Sequence, residues 1–324
     1  MSAPDLGPLA AEEDTGGESA RTVIVAFGAN VGVAIAKSVA ATMTGSASMV
    51  AEAAHSWADT GNQVLLLIAN RRSARAADED RPLGYGREAY VWSLLAAVGL
   101  FVAGGTVSVW HGLTELLHDP DTGEDYLIAY LVLAIAFVLE GTSLLRAIRQ
   151  LRGEAHDHDR DVLDYALETS DPTVRAVFAE DSAAIVGIVI AAAAIAGAAV
   201  WDAIGSILVG VLLGSVAVVL IDRNRRFLTG EPGSSALRDA AVERIAQLPD
   251  VATVRFVRIE YTGPKQIFLV ASVDLVGDHA ESHIAHTLRK LEQELERNPH
   301  IVDAVLTVAD PDEQDVGTDD HGRP

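Results

Sequence analysis

The stretch GSASMVAEAAHSWADTGNQVLLLIAN (Gly45 to Asn70), apolar from Val64 to Ala69, carries Glu52, His55, Asp59 and Asn62 ahead of that run. Their spacing (i, i+3, i+7, i+10) puts all four on one face of a helix. His55 and Asp59 stand one turn apart, about 6 Å along the axis. An imidazole and a carboxylate so spaced supply half of a tetrahedral site for a borderline divalent metal. A second apolar stretch, AVFAEDSAAIVG, carries Glu180 and Asp181. Adjacent acids in such a setting avoid lipid. Facing His55 and Asp59, they complete an oxygen-rich metal site. Glu52 and Asn30 are accessory candidates, and Asn30 also reads as an interhelical hydrogen bond. Lys37 either snorkels or pairs with an acid. Glu140 has two open readings, a structural ion pair and a proton relay.

These groups need helices that cross a bilayer. The hydrophobic share is 49% while aromatics make up only 5%, so the apolar mass is Ala, Val, Leu and Ile, suited to close helix packing. The spacing predicts six spans: about Thr22 to Thr44, Gly45 to Asn70, Glu88 to Leu113, Asp125 to Leu145, Val174 to Ala198 and Val200 to Ile221. Each is near the ~20 residues that a crossing requires. No Lys or Arg occurs between Lys37 and Arg71, Arg87 and Arg146, or Arg175 and Arg223. Each gap holds most of one helical hairpin. The Arg-rich segments between them belong on the cytoplasmic side by the positive-inside rule, with both termini. The plasma (inner) membrane is the expected location. Ala183, Gly187 and Ala191, and the Gly210–Gly214 pair, suggest tight helix crossings.

Residues 1–20 are acidic, Gly-rich and expected to be disordered, and they lack the basic start of a secretory leader. Residues 21–226 form the membrane domain. From 227 to 311 the pattern changes to a helix (Ser235 to Leu248), two strands (Val251 to Tyr261, Gln266 to Val276), a helix (Glu281 to Arg297) and a strand (Ile301 to Val308). Ile267, Leu269, Ala271, Val273 and Leu275 alternate along the second strand. The order α-β-β-α-β fits a small cytoplasmic ferredoxin-like α+β domain. Residues 312–324 are an acidic tail. Net charge is −22, which argues against a nucleic-acid partner. There is no cysteine, so any metal site must use imidazole, carboxylate or amide. The tract Glu154 to Asp159 (EAHDHD) and the run Asp78-Glu79-Asp80 read as solvated loops with some capacity for metal.

Six spans, an HxxxD in the second, an acidic fifth and a small α+β tail together resemble the cation diffusion facilitator family. The most specific stretches are GSASMVAEAAHSWADTGNQ, RPLGYGREAYVWSLLAAVGLFVAGGTVSVWHG and EDSAAIVG. The resemblance implies a homodimeric antiporter that exports Zn²⁺ or a related ion against protons, and a transport site formed by His55 and Asp59 facing the fifth span. Three departures stand out. The family's fifth-span HxxxD would place its histidine at Val177, so only Asp181 matches, with Glu180 beside it. The HPxGHG loop appears as Arg81-Pro82-Leu83-Gly84-Tyr85-Gly86, without either histidine. In the tail, family metal ligands fall on Arg255, Ala271 and Val308, while His283 and Asp310 persist.

The expected function is therefore export of a divalent cation by metal/proton antiport. Zn²⁺ comes first and Mn²⁺, Fe²⁺ or Co²⁺ behind, as cargo rather than as a cofactor. Expected partners are lipid, the ion, protons and a second copy of the chain. An intramembrane metalloenzyme would want HExxH, which AEAAHSWAD lacks, so no enzyme is expected. A transport-inactive sensor or scaffold on the same fold is the alternative.

Overall fold

The computed structural model describes residues 19–117, 126–157, 161–197 and 199–309. The expected disordered start, apart from residues 19 and 20, lies outside them. So do the acidic tail, Asp310, the loop near Asp119 and the side chains of most of the EAHDHD tract. The chain divides into two compact units. One takes in the described residues up to Arg71 together with Ala89–Arg225. The other joins Arg72–Glu88 to the chain from Arg226 onward.

The first unit is helical. It contains α1 (Ser19–Thr44), α2 (Ala47–Ser73), α3 (Glu88–Gly99), a π-helical segment (Leu100–Thr106), α4 (Val107–Leu117), α5 (Leu127–Asp157), α6 (Val162–Glu168), α7 (Pro172–Ile195) and α8 (Ala199–Thr229). Helices α3 and α4 run on through the π segment as one rod, Glu88–Leu117. Four helical stretches are long and apolar enough to cross a membrane: Glu88–Leu117, Leu127–Gly153, Pro172–Ile195 and Val200–Thr229. Helices α1 and α2 are of similar length, 26 and 27 residues, and α2 carries the polar face. Helix α5 outruns its expected end at Leu145 by three turns, and the short α6 is an addition.

Small residues set the crossing of the π segment and α4 over α8. A Cβ at Gly105 would stand 3.2 Å from the Gly210 carbonyl oxygen, and one at Gly112 would stand 2.6 Å from that of Ala203. Ser206 donates to the Ser108 carbonyl at 2.8 Å in the same seam. Backbones approach this closely only where side chains are absent or short.

The start of α2 is capped from α8. The Asp202 carboxylate accepts from the Ala47 amide at 2.6 Å, the Ser48 amide at 3.2 Å and the Ser46 hydroxyl at 2.9 Å. The two amides are among the backbone donors that the first turn of a helix leaves unpaired. Helix α7 is capped locally by Asp171, which accepts from Thr173 and Val174, with Pro172 in the first turn. Arg175, fully buried, ties that end to the Thr169 carbonyl at 2.7 Å and to Asn224 of α8 at 2.8 Å.

The second unit holds α9 (Ser235–Ala246), β1 (Val251–Gly263), β2 (Gln266–Leu275), α10 (Glu281–Leu295) and β3 (Ile301–Val308), the expected order. The sheet runs β1-β2-β3, with β1 antiparallel and β3 parallel to β2. Ile259, Leu269 and Ala304 lie side by side by register and are buried in the core with Leu237, Ile245, Leu291 and Leu295 of the two helices. Arg258, Val270 and Val305 line up on the opposite face, where Val305 of β3 and Phe256 of β1 are equally exposed.

The 72–88 loop packs on the tip of the β1–β2 hairpin. A Cβ at Gly86 would stand 2.6 Å from the Thr262 carbonyl oxygen and 2.7 Å from the Gly263 Cα, so only glycine fits. Arg87 beside it pairs with Glu260 of β1.

Candidate functional site

Helix α2 presents Glu52, His55 and Asn62 as buried side chains on one face, with Asp59 among them at 14% side-chain exposure. His55 Nε2 lies 3.3 Å from Asp59 Oδ2, and neither ring nitrogen of His55 has a hydrogen-bond partner. Asp59 Oδ1 and Asp181 Oδ2 are likewise buried and unpartnered. Unpaired buried acceptors are costly in a low-dielectric interior. A cation held among them would satisfy several at once.

Helix α7 closes the cluster. Asn62 Nδ2 donates to Glu180 Oε1 at 3.0 Å, a direct bridge from α2 to α7. Asp181 accepts a hydrogen bond from Ser143 of α5. Glu140, one turn before Ser143, is within electrostatic reach of both Asp59 and Asp181. Helices α2, α5 and α7 thus gather His55, Asp59, Glu180, Asp181 and Glu140 into one polar interior. Among the described residues no three His, Asp or Glu side chains stand close enough to hold a metal ion together. The groups share a neighbourhood rather than a finished coordination shell.

The remaining candidates divide. Glu52 is fully buried and bonded to Lys37 of α1 at 2.8 Å, which answers which acid Lys37 pairs with. Asn30 is half-buried on α1, two turns before Lys37. His283 is exposed on α10 in the other unit, its ring 4.4 Å from that of His279. Asp310 lies outside the described residues. Two contributors escape a reading by local spacing. Ser143 is one hydroxyl in an apolar helix, and Asp202 acts on α2 from a distant segment.

In the loop that replaces HPxGHG, Tyr85 donates to Asp78 at 2.8 Å, and the Arg75 guanidinium lies 4.2 Å from the centre of the Tyr85 ring. That hydrogen bond, with the Arg81 amide and Arg75 adding to it, holds the Asp78 carboxyl below its usual range, and the same bond raises the Tyr85 phenol. Tyrosine here organises the loop through stacking and a hydrogen bond, chemistry unlike that of the histidine it replaces.

Residues 23–228 match the family model described as the cation efflux transmembrane domain. The chain is similar to the protein named proton-coupled zinc antiporter SLC30A9, mitochondrial. It is 36% identical to the Xenopus laevis form over 79% of this chain and 47% of that protein, and 36% identical to the human form over 72% and 42%. It is also 36% identical to metal tolerance protein C4 of Arabidopsis thaliana, over 71% of this chain and 51% of that one. The chain spans about half the length of these curated relatives. The matched region covers the helical unit from Val23 onward and every residue of the polar cluster, and on that match the chain belongs to the cation diffusion facilitator family of divalent-metal transporters.

Proposed function

We propose that the chain is a divalent-cation exporter that exchanges its ion for protons. Zn²⁺ is the first-ranked substrate, with Mn²⁺, Fe²⁺ and Co²⁺ behind it. The observation that carries the reading is the set of buried, unpartnered ligand atoms on facing helices: both nitrogens of His55, Asp59 Oδ1 and Asp181 Oδ2. His55, Asp59 and Asp181 hold the ion, and Glu180 joins directly or through a water. The names of the zinc antiporters to which the chain is similar support both ion and coupling.

The chemistry of the donors supplies the exchange. Metal binds neutral imidazole and ionised carboxylate, so binding releases protons and protonation expels metal. Protons arriving from outside displace the ion, and protons leaving to the inside free the site. One imidazole with two or three carboxylates is a harder set than two imidazoles, which admits Mn²⁺ alongside Zn²⁺. In this reading α1, α2, the α3–α4 rod, α5, α7 and α8 are six spans, both termini are cytoplasmic, the C-terminal unit is ferredoxin-like and the protein works as a homodimer.

Val177, where an imidazole would complete a second HxxxD, keeps a transport-inactive sensor as the second reading. Purified protein in liposomes loaded with a metal-sensitive dye separates the two. Under an imposed pH gradient, Zn²⁺ should enter while protons move the other way. Metal binding without flux would favour the sensor and overturn the exporter.

A further inference from the structure

Lys37 and Glu52 are both 0% exposed and sit 2.8 Å apart, Nζ to Oε2. A lysine on a membrane helix ordinarily extends its ammonium to the interface. This one instead ends inside the helical unit on a single carboxylate. Glu52 lies one turn before His55 on the same helix face. Its second oxygen, Oε1, has no hydrogen-bond partner. That oxygen rests against Gly187 of α7, where an added Cβ would stand 2.6 Å away. Three helices therefore contribute to one seat: α1 the cation, α2 the carboxylate and α7 the bare backbone that makes room for it.

We propose that Lys37 is a specificity-determining residue of the transport site. As a resident counter-ion it withholds Glu52 from the transported ion. The inference rests on the reading that the ion binds at His55, Asp59, Glu180 and Asp181. A buried carboxylate without a counter-charge is strongly disfavoured. With Lys37 in place, the ammonium meets that need and Glu52 faces Gly187. Without it, the nearest available positive charge is the divalent cation one turn away. Glu52 then adds a hard oxygen ligand beside the imidazole. Hard oxygen donors move preference from Zn²⁺ towards Mn²⁺. The lysine thus fixes the ligand set by occupying an acid that would otherwise join it.

The test uses the full chain in detergent and in liposomes, with calorimetry and flux for Zn²⁺ and Mn²⁺ separately. Lys37→Met removes the charge at similar length and should lower the Zn²⁺-to-Mn²⁺ preference about tenfold. The double variant Lys37→Met/Glu52→Gln removes both charges and should return the ratio to within about twofold of the unaltered protein. A purely structural ion pair predicts lost stability with the ratio unmoved, and that result overturns the proposal. A double variant that keeps the altered ratio of Lys37→Met also overturns it. Where Lys37→Met does not fold, the double variant decides alone, and a shifted ratio there counts against the inference. Failure of the unaltered protein to bind either ion would instead overturn the site reading itself.

Discussion

Asn62 donates its side-chain amide to Glu180 across the α2–α7 boundary at 3.0 Å. That bond occupies one carboxylate oxygen and aims Glu180 at the polar face of α2. Under the proposed site, Glu180→Gln should weaken Zn²⁺ binding at neutral pH about tenfold and alter ion preference. Asn62→Leu should weaken it by about ten- to a hundredfold, since a hydrogen bond to a charged group contributes about 1.5–3 kcal/mol. Calorimetry on both variants checks this. Unchanged affinity and selectivity in Glu180→Gln would remove that residue from the site.

Asp59→Ala should abolish flux while leaving the protein folded. Its carboxylate touches the His55 ring at 3.3 Å and has an unpartnered buried oxygen, so removal takes away a proposed ligand but relieves a buried, unpaired acceptor. Thermal melting in detergent should stay level or rise slightly as Zn²⁺ transport disappears. Flux at the unaltered rate would defeat the assignment.

The Asp202 cap on α2 predicts a stability effect at a distance from the proposed metal ligands. Asp202→Ala leaves the Ala47 and Ser48 amides and the Ser46 hydroxyl without that acceptor. A lost cap costs about 1–2 kcal/mol. Asp202→Asn, which keeps one acceptor oxygen, should lose about half as much. The fall in melting temperature should be accompanied by weaker metal binding, because the capped helix carries His55 and Asp59.

The Tyr85–Asp78 contact gives the 72–88 loop a pH window. Asp78 is depressed in the folded loop, so its contribution is complete above the ordinary carboxylate range near pH 4 and is lost as pH falls through the depressed value. Tyr85 is raised, so its hydrogen bond survives alkali until the pH passes above the usual tyrosine value of about 10. The Arg81 amide, which donates to the Asp78 carboxylate at 3.0 Å, reports on this. Its hydrogen-exchange protection, corrected for intrinsic rate, should be flat at neutral pH and fall in acid. In Tyr85→Phe the fall should come at higher pH.

Assembly offers a further check. Arg255, Ala271 and Val308 stand where the resemblance places bridging metal ligands, and none of them is a metal ligand of the usual kind. Apolar groups on the open sheet face, Phe256 and Val305 among them, are the available contact. If the chain is the proposed homodimer, it should be dimeric by light scattering in detergent with a strong chelator. Dissociation on chelation and recovery with Zn²⁺ would count against this.

The His55–Asp59 pair and the alternation of β2 were legible because helix and strand periods act between near neighbours. Asp202 and Ser143 were not, because a cap or hydrogen bond supplied by a distant segment leaves no local pattern. The end of α5 was set too early for a different reason. Apolar composition stops near Leu145, whereas backbone hydrogen bonding continues to Asp157 through Arg146, Arg149 and Arg152. A lipid-sized stretch marks where a helix meets water, and helices do not end there. The π segment, with Gly104 and Gly105 in the close packing against α8, is likewise a product of tertiary packing.

The seating of Gly86 on Gly263 has a topological consequence. Among the described residues the chain passes between the two units at three places: Arg71 to Arg72, Glu88 to Ala89 and Arg225 to Arg226. The 72–88 loop thereby joins α2, which carries His55 and Asp59, to the β-hairpin by a few residues of backbone.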